Sequence, residues 1–546
     1  MFNRRIRPRA LLAPLMALLA AQATASTQLT VENAEASVDG RWEQTVWVEA
    51  GLASGGHSFV VVPGRPRLGR AYDRLAGELN ERGRAVFTFA PGRRELLATT
   101  NHRVLILDAS GEVIDTVTSK GQSLAALGSS STASVSPTGI SSATTQQDVD
   151  PVNPLRVTLP REGAQVGSPS IDVRGRLGGI LNRPDTRVTV NGISAEVFPS
   201  PGGIGRFLVP NLELGNGANN LVVVASSADT TFRQDVGVSL TRVTSNNVVI
   251  EGGRAYASRG TAGFSVMNLV TREFQNFAPP AGTNRIDDVC IADGFLFMLD
   301  AASGGRLVVM SLANPNEPTL ISGPVTVPVG PFAGVSAGGG RVVVSGGTGL
   351  LTVRNYNTGT GALGASVASF DAGIGQPDVL VSPDGSRAFI STDFAGSVGG
   401  AGFGITTIAL NNPPIAPTLL SRTGLPGSGF TAGNQSPANF PIESAIVNGL
   451  LVTAHGGGLS RIDMNGNLLG TSPLGFSGVN VDDAGDSLFI VGAGRNVAEM
   501  DLSNPASPSI VSSDSFLAPG AFSGVSAGGV FVAIASNAGG LRVLRR

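Results

Sequence analysis

Apolar residues along this chain fall mostly at alternate positions. They form short runs broken by Gly, Pro, Asn and Asp, the pattern of half-buried strands joined by turns. One stretch departs from it. Between Pro66 and Arg82, Leu68, Tyr72, Leu75, Ala76 and Leu79 share one helical face, with Pro66 suited to a first turn and Gly83 to a stop. Strands are expected on either side, over His57–Val62 and Arg84–Ala90, followed by Glu95–Thr100, Arg103–Asp108 and Val113–Thr118. Residues 26–118 therefore read as a small N-terminal α+β segment. Residues 119–150 lose all apolar period and turn to Ser, Thr, Gly, Ala and Gln, which predicts a flexible linker.

Residues 151–244 resume as short strands: Arg156–Leu159, Ser170–Val173, Arg187–Val190, Ala195–Phe198, Arg206–Val209 and Asn220–Val224. Asn191-Gly192 signals a type I′ hairpin. About seven strands in roughly 95 residues predict an antiparallel β-sandwich. The run Val188–Val197, then Leu212-Glu213-Leu214-Gly215-Asn216-Gly217 and Leu221–Ala225, resembles bacterial Ig-like domains of extracytoplasmic proteins. That resemblance implies a fold and carries no catalytic residue.

The last three hundred residues, 245–546, contain an internal repeat. Leu312-Ala313-Asn314-Pro315-Asn316-Glu317-Pro318 returns 190 residues later as Leu502-Ser503-Asn504-Pro505-Ala506-Ser507-Pro508, and Gly334–Gly339 returns at the same offset as Gly524–Gly529. A third copy of the first motif runs from Leu410 to Ser421. Four units of about 47 residues fill that offset, which is propeller-blade spacing. Seven units are expected, at 246–278, 286–323, 332–371, 376–423, 442–472, 475–514 and 521–546. The last shows three strands, so a strand from upstream, Gly237–Thr244 or Val113–Thr118, is expected to complete it and remove the exposed edge. The meander over 84–118 is itself blade-like. The fold class is thus mainly β: a seven-bladed β-propeller plus an Ig-like β-sandwich, with a small N-terminal α+β segment.

The Asn-Pro-x-x-Pro turns resemble those of LVIVD-type repeats, and Ser382-Pro383-Asp384-Gly385 resembles the hairpin of YVTN-type surface-layer propellers. Both resemblances imply a propeller outside the cytoplasm. Neither implies an activity, since propellers host many functions. A fainter likeness, of Val60–Gly64 and Tyr72–Leu75 to the opening of an α/β-hydrolase, leads nowhere. The Gly-x-Ser-x-Gly matches at Gly334 and Gly524 are followed by strands instead of the helix that a nucleophile elbow needs, and they read as hairpin turns.

Composition adds location. Gly supplies 74 of 546 residues, which disfavours long helices. Arg4, Arg5, Arg7 and Arg9 precede the apolar run Leu11–Ala21 and then Ala23-Thr24-Ala25, the three parts of a secretory signal peptide over residues 1–25. Its removal leaves 34 bases against 40 acids, a net charge of −6, with Lys120 the single lysine. Such a surface does not neutralise phosphates, so nucleic acid is not an expected partner. No later apolar stretch is long enough for a transmembrane helix. The chain is expected to be exported, to the periplasm, the cell surface or the medium. Cys290 is the only cysteine and reads as a small core residue.

Candidate chemistry is sparse. His57, His102 and His455 are the only histidines and lie far apart in sequence. In propeller geometry Asp300, Asp393 and His455 fall just after second strands and Asp287, Asp378 and Glu443 open the innermost strands nearby, so the six would ring one mouth of the central channel. Clustered carboxylates of this kind suit a hard cation such as Ca²⁺, although no cofactor is required by any motif. The sequence therefore favours an exported non-enzymatic binding or scaffold protein of the bacterial envelope or exterior, meeting a protein or glycan partner. A metal-assisted hydrolase or lactonase at the channel mouth is the alternative, and a surface adhesin acting through the Ig-like module is a weaker one.

Overall fold

A computed structural model describes strands between residues 28 and 118 and most of residues 154–545. The expected signal peptide, the 119–150 linker and the Glu95–Thr100 strand lie outside the described residues. Among the described residues all regular structure is β, apart from one short 3-10 turn at Gly179–Leu181. No described helix is long and apolar enough to cross a membrane.

The N-terminal region differs from the helix-and-meander expectation. Ala76–Glu78, inside the expected helix, is an edge strand paired antiparallel with Ser58–Val60; the rest of 66–82 is outside the described residues except for these positions. An isolated helix of that length gains little in water, and Gly77 weakens it further, so strand pairing wins. Ser58–Val62 also pairs with Arg103–Leu107, which pairs with Val113–Thr118, giving one four-stranded sheet. The strand expected from Arg84 exists as Arg84–Phe89 but joins Trp42–Glu49 in another sheet, so 84–118 is not one meander. Arg84 ties this region to the next through an ion pair with Glu196 (2.6 Å).

Residues 154–240 form two stacked sheets. One contains Ala164–Val166, Arg187–Val190, Ile193–Ser194, Gly217–Ser227 and Thr230–Leu240; the other contains Leu155–Leu159, Ser170–Leu177, Glu196–Phe198 and Gly205–Glu213. Their inner faces share a core that includes Val173, Phe207, Val209, Leu221 and Val223. Asn191 (φ 50°) and Gly192 (φ 83°) make the primed turn that a right-twisted hairpin prefers. Gly175 is required by packing: a Cβ there would come within 2.1 Å of the Phe207 ring.

From Val248 onward the described strands form seven consecutive antiparallel sheets. The first comprises Val248–Glu251, Arg254–Ser258, Phe264–Asn268 and Phe274–Phe277. The second comprises Asp288–Ala292, Phe295–Asp300, Arg306–Ser311 and Thr319–Thr326. The third comprises Gly334–Gly338, Arg341–Ser345, Leu350–Tyr356 and Leu363–Asp371, and the fourth Gly375–Val381, Arg387–Phe394, Gly402–Ala409 and Thr418–Gly424. The fifth comprises Ser444–Val447, Leu450–His455, Gly458–Asp463 and Leu468–Ser472, and the sixth Gly478–Asp483, Ser487–Gly492, Asn496–Asp501 and Ser509–Ser515. The seventh contains Phe522–Gly528, Phe531–Ser536 and Arg542–Arg545. Within each sheet the strands pair in chain order, inner to outer.

The inner strands of successive sheets pack side by side, and that of the seventh packs beside that of the first. An apolar cluster fills every junction. Tyr256 and Val266 meet Leu296 and Met298; Leu299 and Val309 meet Val335 and Val344; Val343 and Val353 meet Ile390 and Ile408. Phe389 and Ile405 meet Leu451 and Ile462; Ala454 and Leu459 meet Leu488 and Ile490; Val491 and Val497 meet Val532 and Ile534. Met267 and Ala255 meet Ala533 and Val543 at the closing seam. Packing on both faces explains why second strands such as Phe295–Asp300 and Phe531–Ser536 are buried along their whole length. The architecture is propeller-like. The Asn-Pro-x-x-Pro turn of the second sheet contributes to it, because Tyr256 Oη donates to the Pro315 carbonyl (3.0 Å) and Arg254 Nε to Asn316 Oδ1 (2.8 Å).

At the seam neither expected closing strand is present. Val113–Thr118 belongs to the N-terminal sheet, and Thr230–Leu240 belongs to the sandwich. The outer edge of the seventh sheet is met by single groups instead. Leu541 N donates to the Val243 carbonyl (2.7 Å), Val543 N to Ser168 Oγ (3.0 Å) and Arg545 N to Asn211 Oδ1 (2.6 Å), while Asn211 Nδ2 returns a bond to the Arg545 carbonyl (2.7 Å). The donors fall at every second residue, as the edge of a strand requires. Beneath them Asp172, fully buried, faces Arg545 Nε (2.7 Å), Arg272 Nη2 (3.7 Å) and Arg174 Nη2 (3.8 Å). The Arg272 and Arg545 guanidiniums both lie over the Phe531 ring, 5.1 and 4.8 Å from its centroid.

Candidate functional site

Two regions of the ring present polar or apolar groups in a repeated arrangement: the inner strands along the channel, and the outer strands along the rim.

On the inner strands, a polar side chain of one sheet accepts a backbone N–H of the next. Asp288 Oδ2 accepts from Val335 N (2.7 Å), Ser336 Oγ from Val381 N (2.9 Å), Asp482 Oδ2 from Ala527 N (2.9 Å) and Ser526 Oγ from Ile250 N (3.0 Å). Four of the seven junctions carry such a stitch among the described residues, including the closing one. Asp288 also accepts from Asn247 Nδ2 (2.6 Å), so it spans three sheets. This assigns the serines of the two Gly-x-Ser-x-Gly matches. Gly334–Gly338 and Phe522–Gly528 are inner strands and not hairpin turns, and the hydroxyls of Ser336 and Ser526 join sheets. The turn itself falls one step later, at Gly339 and Gly340, which have φ of 52° and 78°.

The six residues expected at the channel mouth have separate surroundings. Asp300, buried, accepts from Asn284 N (2.7 Å) and Ala302 N (2.9 Å). Asp287 accepts from Ala301 N (2.8 Å) and pairs with Arg285 Nε (2.6 Å). These two carboxylates fasten the same pair of loops. His455 is buried at the end of its strand, with Nε2 2.8 Å from Ser460 Oγ, which in turn lies 2.8 Å from Thr471 Oγ1. Burial lowers its pKa to about 4, so the ring is neutral at physiological pH. Asp393 lies opposite Phe403 in the fourth sheet; its side chain and Glu443 lie outside the described residues. Among the described residues no three His, Cys, Asp or Glu side chains assemble as metal ligands.

Asp378 is the exception, because it meets another acid. Burial, then the negative charge of Asp288, push its carboxyl well above the usual range, while Ser391 Oγ donates weakly to it (3.4 Å). Asp288 is itself raised, by burial first. The two carboxylates belong to strands of the second and fourth sheets, on either side of the strand that carries Ser336. The negative charge on Asp288 disfavours ionisation of Asp378. Asp288 was missed from sequence because its neighbour Asp287 holds the loop position. The readable signal was a polar residue on the inner strand of the second, third, sixth and seventh sheets, Asp288, Ser336, Asp482 and Ser526.

The rim shows the second repeat. Ten large apolar side chains are exposed among the described residues, and eight of them form four pairs: Leu320-Ile321, Leu419-Leu420, Leu468-Leu469 and Ile510-Val511. Each pair lies at the start of the outer strand of the second, fourth, fifth or sixth sheet. Each also carries a bulge at the same register. Pairing passes from Val309↔Ser322 to Met310↔Leu320, from Thr407↔Ser421 to Ile408↔Leu419, from Arg461↔Gly470 to Ile462↔Leu468 and from Glu499↔Ser512 to Met500↔Ile510. The residue skipped is always the second of the pair. A bulge re-aims side chains and disrupts further strand addition at an edge. The N-terminal sheet repeats the device, passing from Ile106↔Asp115 to Leu107↔Val113.

No family model matches the chain, and no curated protein matches it. Solved structures do. A protein of unknown function from Bacteroides thetaiotaomicron is similar at 13% identity over 72% of this chain and 99% of that one, with a TM-score of 0.34. Sqt1 of Chaetomium thermophilum, solved bound to the N-terminus of ribosomal protein L10, is similar at 15% identity over 60% of this chain and 93% of that one, with a TM-score of 0.38. The chain is mainly β, built of many four-stranded antiparallel sheets.

Proposed function

We propose that this chain is an exported, non-enzymatic binding or scaffold protein of the bacterial envelope or exterior. In this reading the ring is a seven-bladed β-propeller of LVIVD-like repeats and the sandwich is an Ig-like domain. The observation that carries it is the rim: four bulged outer strands each hold two exposed aliphatic side chains at one register. Contiguous apolar groups at repeated surface positions are what a partner-binding surface offers. Two of the acids expected to do chemistry support the reading from the other side, since Asp287 and Asp300 spend oxygens on backbone N–H groups. The partner is a protein or a glycan.

Two measurements test this. Fractionation with protease protection should recover a mature protein, cleaved after Ala25, outside the cytoplasm; an uncleaved cytosolic protein sinks the localisation. Partner capture from the envelope fraction should differ between wild type and a Leu420→Ser/Leu469→Ser/Val511→Ser variant. Identical capture by both would remove the rim from the function. The Asp288–Asp378 pair favours a second reading, a metal-assisted hydrolase or lactonase at the channel. A saturable Ca²⁺-dependent rise in melting temperature, lost in Asp378→Asn, would favour it over the first.

A further inference from the structure

Ser170, Asp172 and Arg174 take alternate positions on the sandwich strand Ser170–Leu177, so they share one face of it. Ile171 and Val173, between them, enter the sandwich core. The polar three therefore turn to the opposite side, where the ring lies, and all three are buried. The ring supplies Arg272, just before the first sheet's outer strand, and Arg545, on the last strand of the seventh sheet. Both guanidiniums lie over the Phe531 ring and near Asp172.

One carboxylate thus faces three guanidiniums, and its hydrogen bonds go elsewhere than to Arg272. Asp172 Oδ2 accepts from Arg545 Nε (2.7 Å) and Oδ1 from Asn211 N (3.3 Å), while Arg272 Nη2 stays 3.7 Å away. Arg272 makes one hydrogen bond, from Nε to the Ser170 carbonyl (3.2 Å). Its Nη1 and Nη2 meet no acceptor among the described residues, and the hydroxyl of that same Ser170 also has no hydrogen-bond partner. Both side chains are fully buried. The Phe531 ring offers Arg272 a π face but no lone pair. Burial, opposed by Asp172 and joined by Arg545 and Arg174, lowers the Arg272 pKa to about 10, so the side chain stays charged at neutral pH. A buried donor without an acceptor is costly, and a charged one most of all.

A partner for these donors has to accept from N–H and O–H groups together, carry negative charge and be small. Packing nearby is close: a Cβ on Gly167 would lie 2.6 Å from Met267. A carboxylate or phosphate would bring several oxygens, each needing its own donors, into a buried place. A halide is one atom and accepts from any direction. We infer that Arg272 and Ser170 hold a small inorganic monoanion, chloride under physiological conditions, at the junction of the sandwich and the ring. Ser170 belongs to the sandwich and Arg272 to the ring, so the ion fastens one to the other and adds to the negative charge of Asp172. Nothing in this site depends on the rim or on a partner bound there.

The test is thermal unfolding of the full chain at constant ionic strength, with gluconate replaced stepwise by chloride. A saturable rise in melting temperature is expected, reproduced by bromide, because an ion bound only by the folded chain stabilises it by mass action. Ser170→Ala removes one donor to a charged acceptor and should raise the half-saturating chloride concentration about tenfold. In gluconate the same variant should melt no lower than wild type, because the hydroxyl it removes has no acceptor there. Crystals grown in bromide should show an anomalous peak beside Arg272. Chloride that survives dialysis against gluconate and is released on unfolding, measured by ion chromatography, would be the same result at higher affinity. Equal melting temperatures in chloride and gluconate, with no chloride released on unfolding, overturn the inference. So does a rise that Ser170→Ala leaves unchanged, or bromide found only away from Arg272; these would assign the donors to water and the salt effect to the surface.

Discussion

The seam and the rim put the same problem, an outer strand with an unpaired edge, and solve it differently. At the seam the sandwich lies over the edge. Leu541, Val543 and Arg545 find acceptors on Val243, Ser168 and Asn211, and the charges beneath are shut away from water. At the rim the outer strand is blunted by a bulge, with its aliphatic pair left exposed. An edge sealed by many buried groups belongs to the fold, because removing any one strands its partners. Side chains left exposed on a bulged strand contribute little to the fold and suit a partner surface. The two regions should therefore respond to substitution on very different scales.

The largest effect should come from Asp172→Ala. Burial by itself would raise this carboxyl, but Arg545, Arg272 and Arg174, with the Arg545 hydrogen bond, outweigh it and hold it well below the usual carboxylate range. Removing the acid leaves three guanidiniums facing one another without a counter-charge, and breaking a buried pair this way costs about 3–5 kcal/mol. Chemical denaturation of the whole chain reads the loss; a change below about 1 kcal/mol would show that the seam is not sealed as described. The sign of the pH dependence follows. Asp172's folded pKa lies below its unfolded value, so its contribution is complete above an ordinary Asp pKa of about 3.9 and fades as pH falls further. His455 occupies a different window. Its folded pKa, near 4, lies below the unfolded value of about 6.5, so stability should fall as pH drops through 6.5 toward 4, where the unfolded chain takes up a proton and the folded one does not. A His455→Gln variant should lose the slope in the upper window and keep that in the lower one.

Next in size is Gly167→Ala. The added Cβ would lie 2.6 to 2.8 Å from Met267, Phe274 and Val243, three side chains packed at the seam. Overpacking of this kind costs about 1–3 kcal/mol. Asn211→Gly should cost somewhat less, about 1–2 kcal/mol. It removes the two bonds to Arg545 yet tolerates the positive φ of 53° at this position, so the loss reports the clasp itself. If Asn211→Gly were neutral, water would serve the Arg545 edge as well as the sandwich does, and the contrast with the rim would weaken.

Much of the ring could be read from the chain because its units repeat covalently. Asn314-Pro315 and Asn504-Pro505 mark turns at a fixed offset, and a period that long fixes which strands pair with which. The seam was not legible, because its partners are remote. Asn211 and Arg545 lie 334 residues apart, and nothing local distinguishes a capping asparagine from a turn residue. The Gly-x-Ser-x-Gly match misled about position by one step, since a glycine-rich strand end and the turn after it look alike until φ is known. At the channel the error was one of phase. Successive strand residues face opposite ways, so choosing Asp287 over Asp288 exchanged a loop fastener for the residue that meets Asp378. Ala76–Glu78 shows the remaining weakness: a good amphipathic face gives way when a neighbouring edge offers pairing.

The smallest effect should be at the rim. Leu469 is 55% exposed and Val511 61% exposed, and each is the residue skipped by its bulge. Replacing either with Ser removes little buried area and no ladder hydrogen bond, so stability should move by less than about 0.5 kcal/mol. Placed beside Gly167→Ala, which crowds Met267, Phe274 and Val243 on the covered side, the rim substitutions make the comparison sharp. A rim substitution as costly as the seam one would mean that the aliphatic pairs are packed within the fold and have nothing left to offer a partner. A neutral one, with partner capture lost, separates stability from recognition.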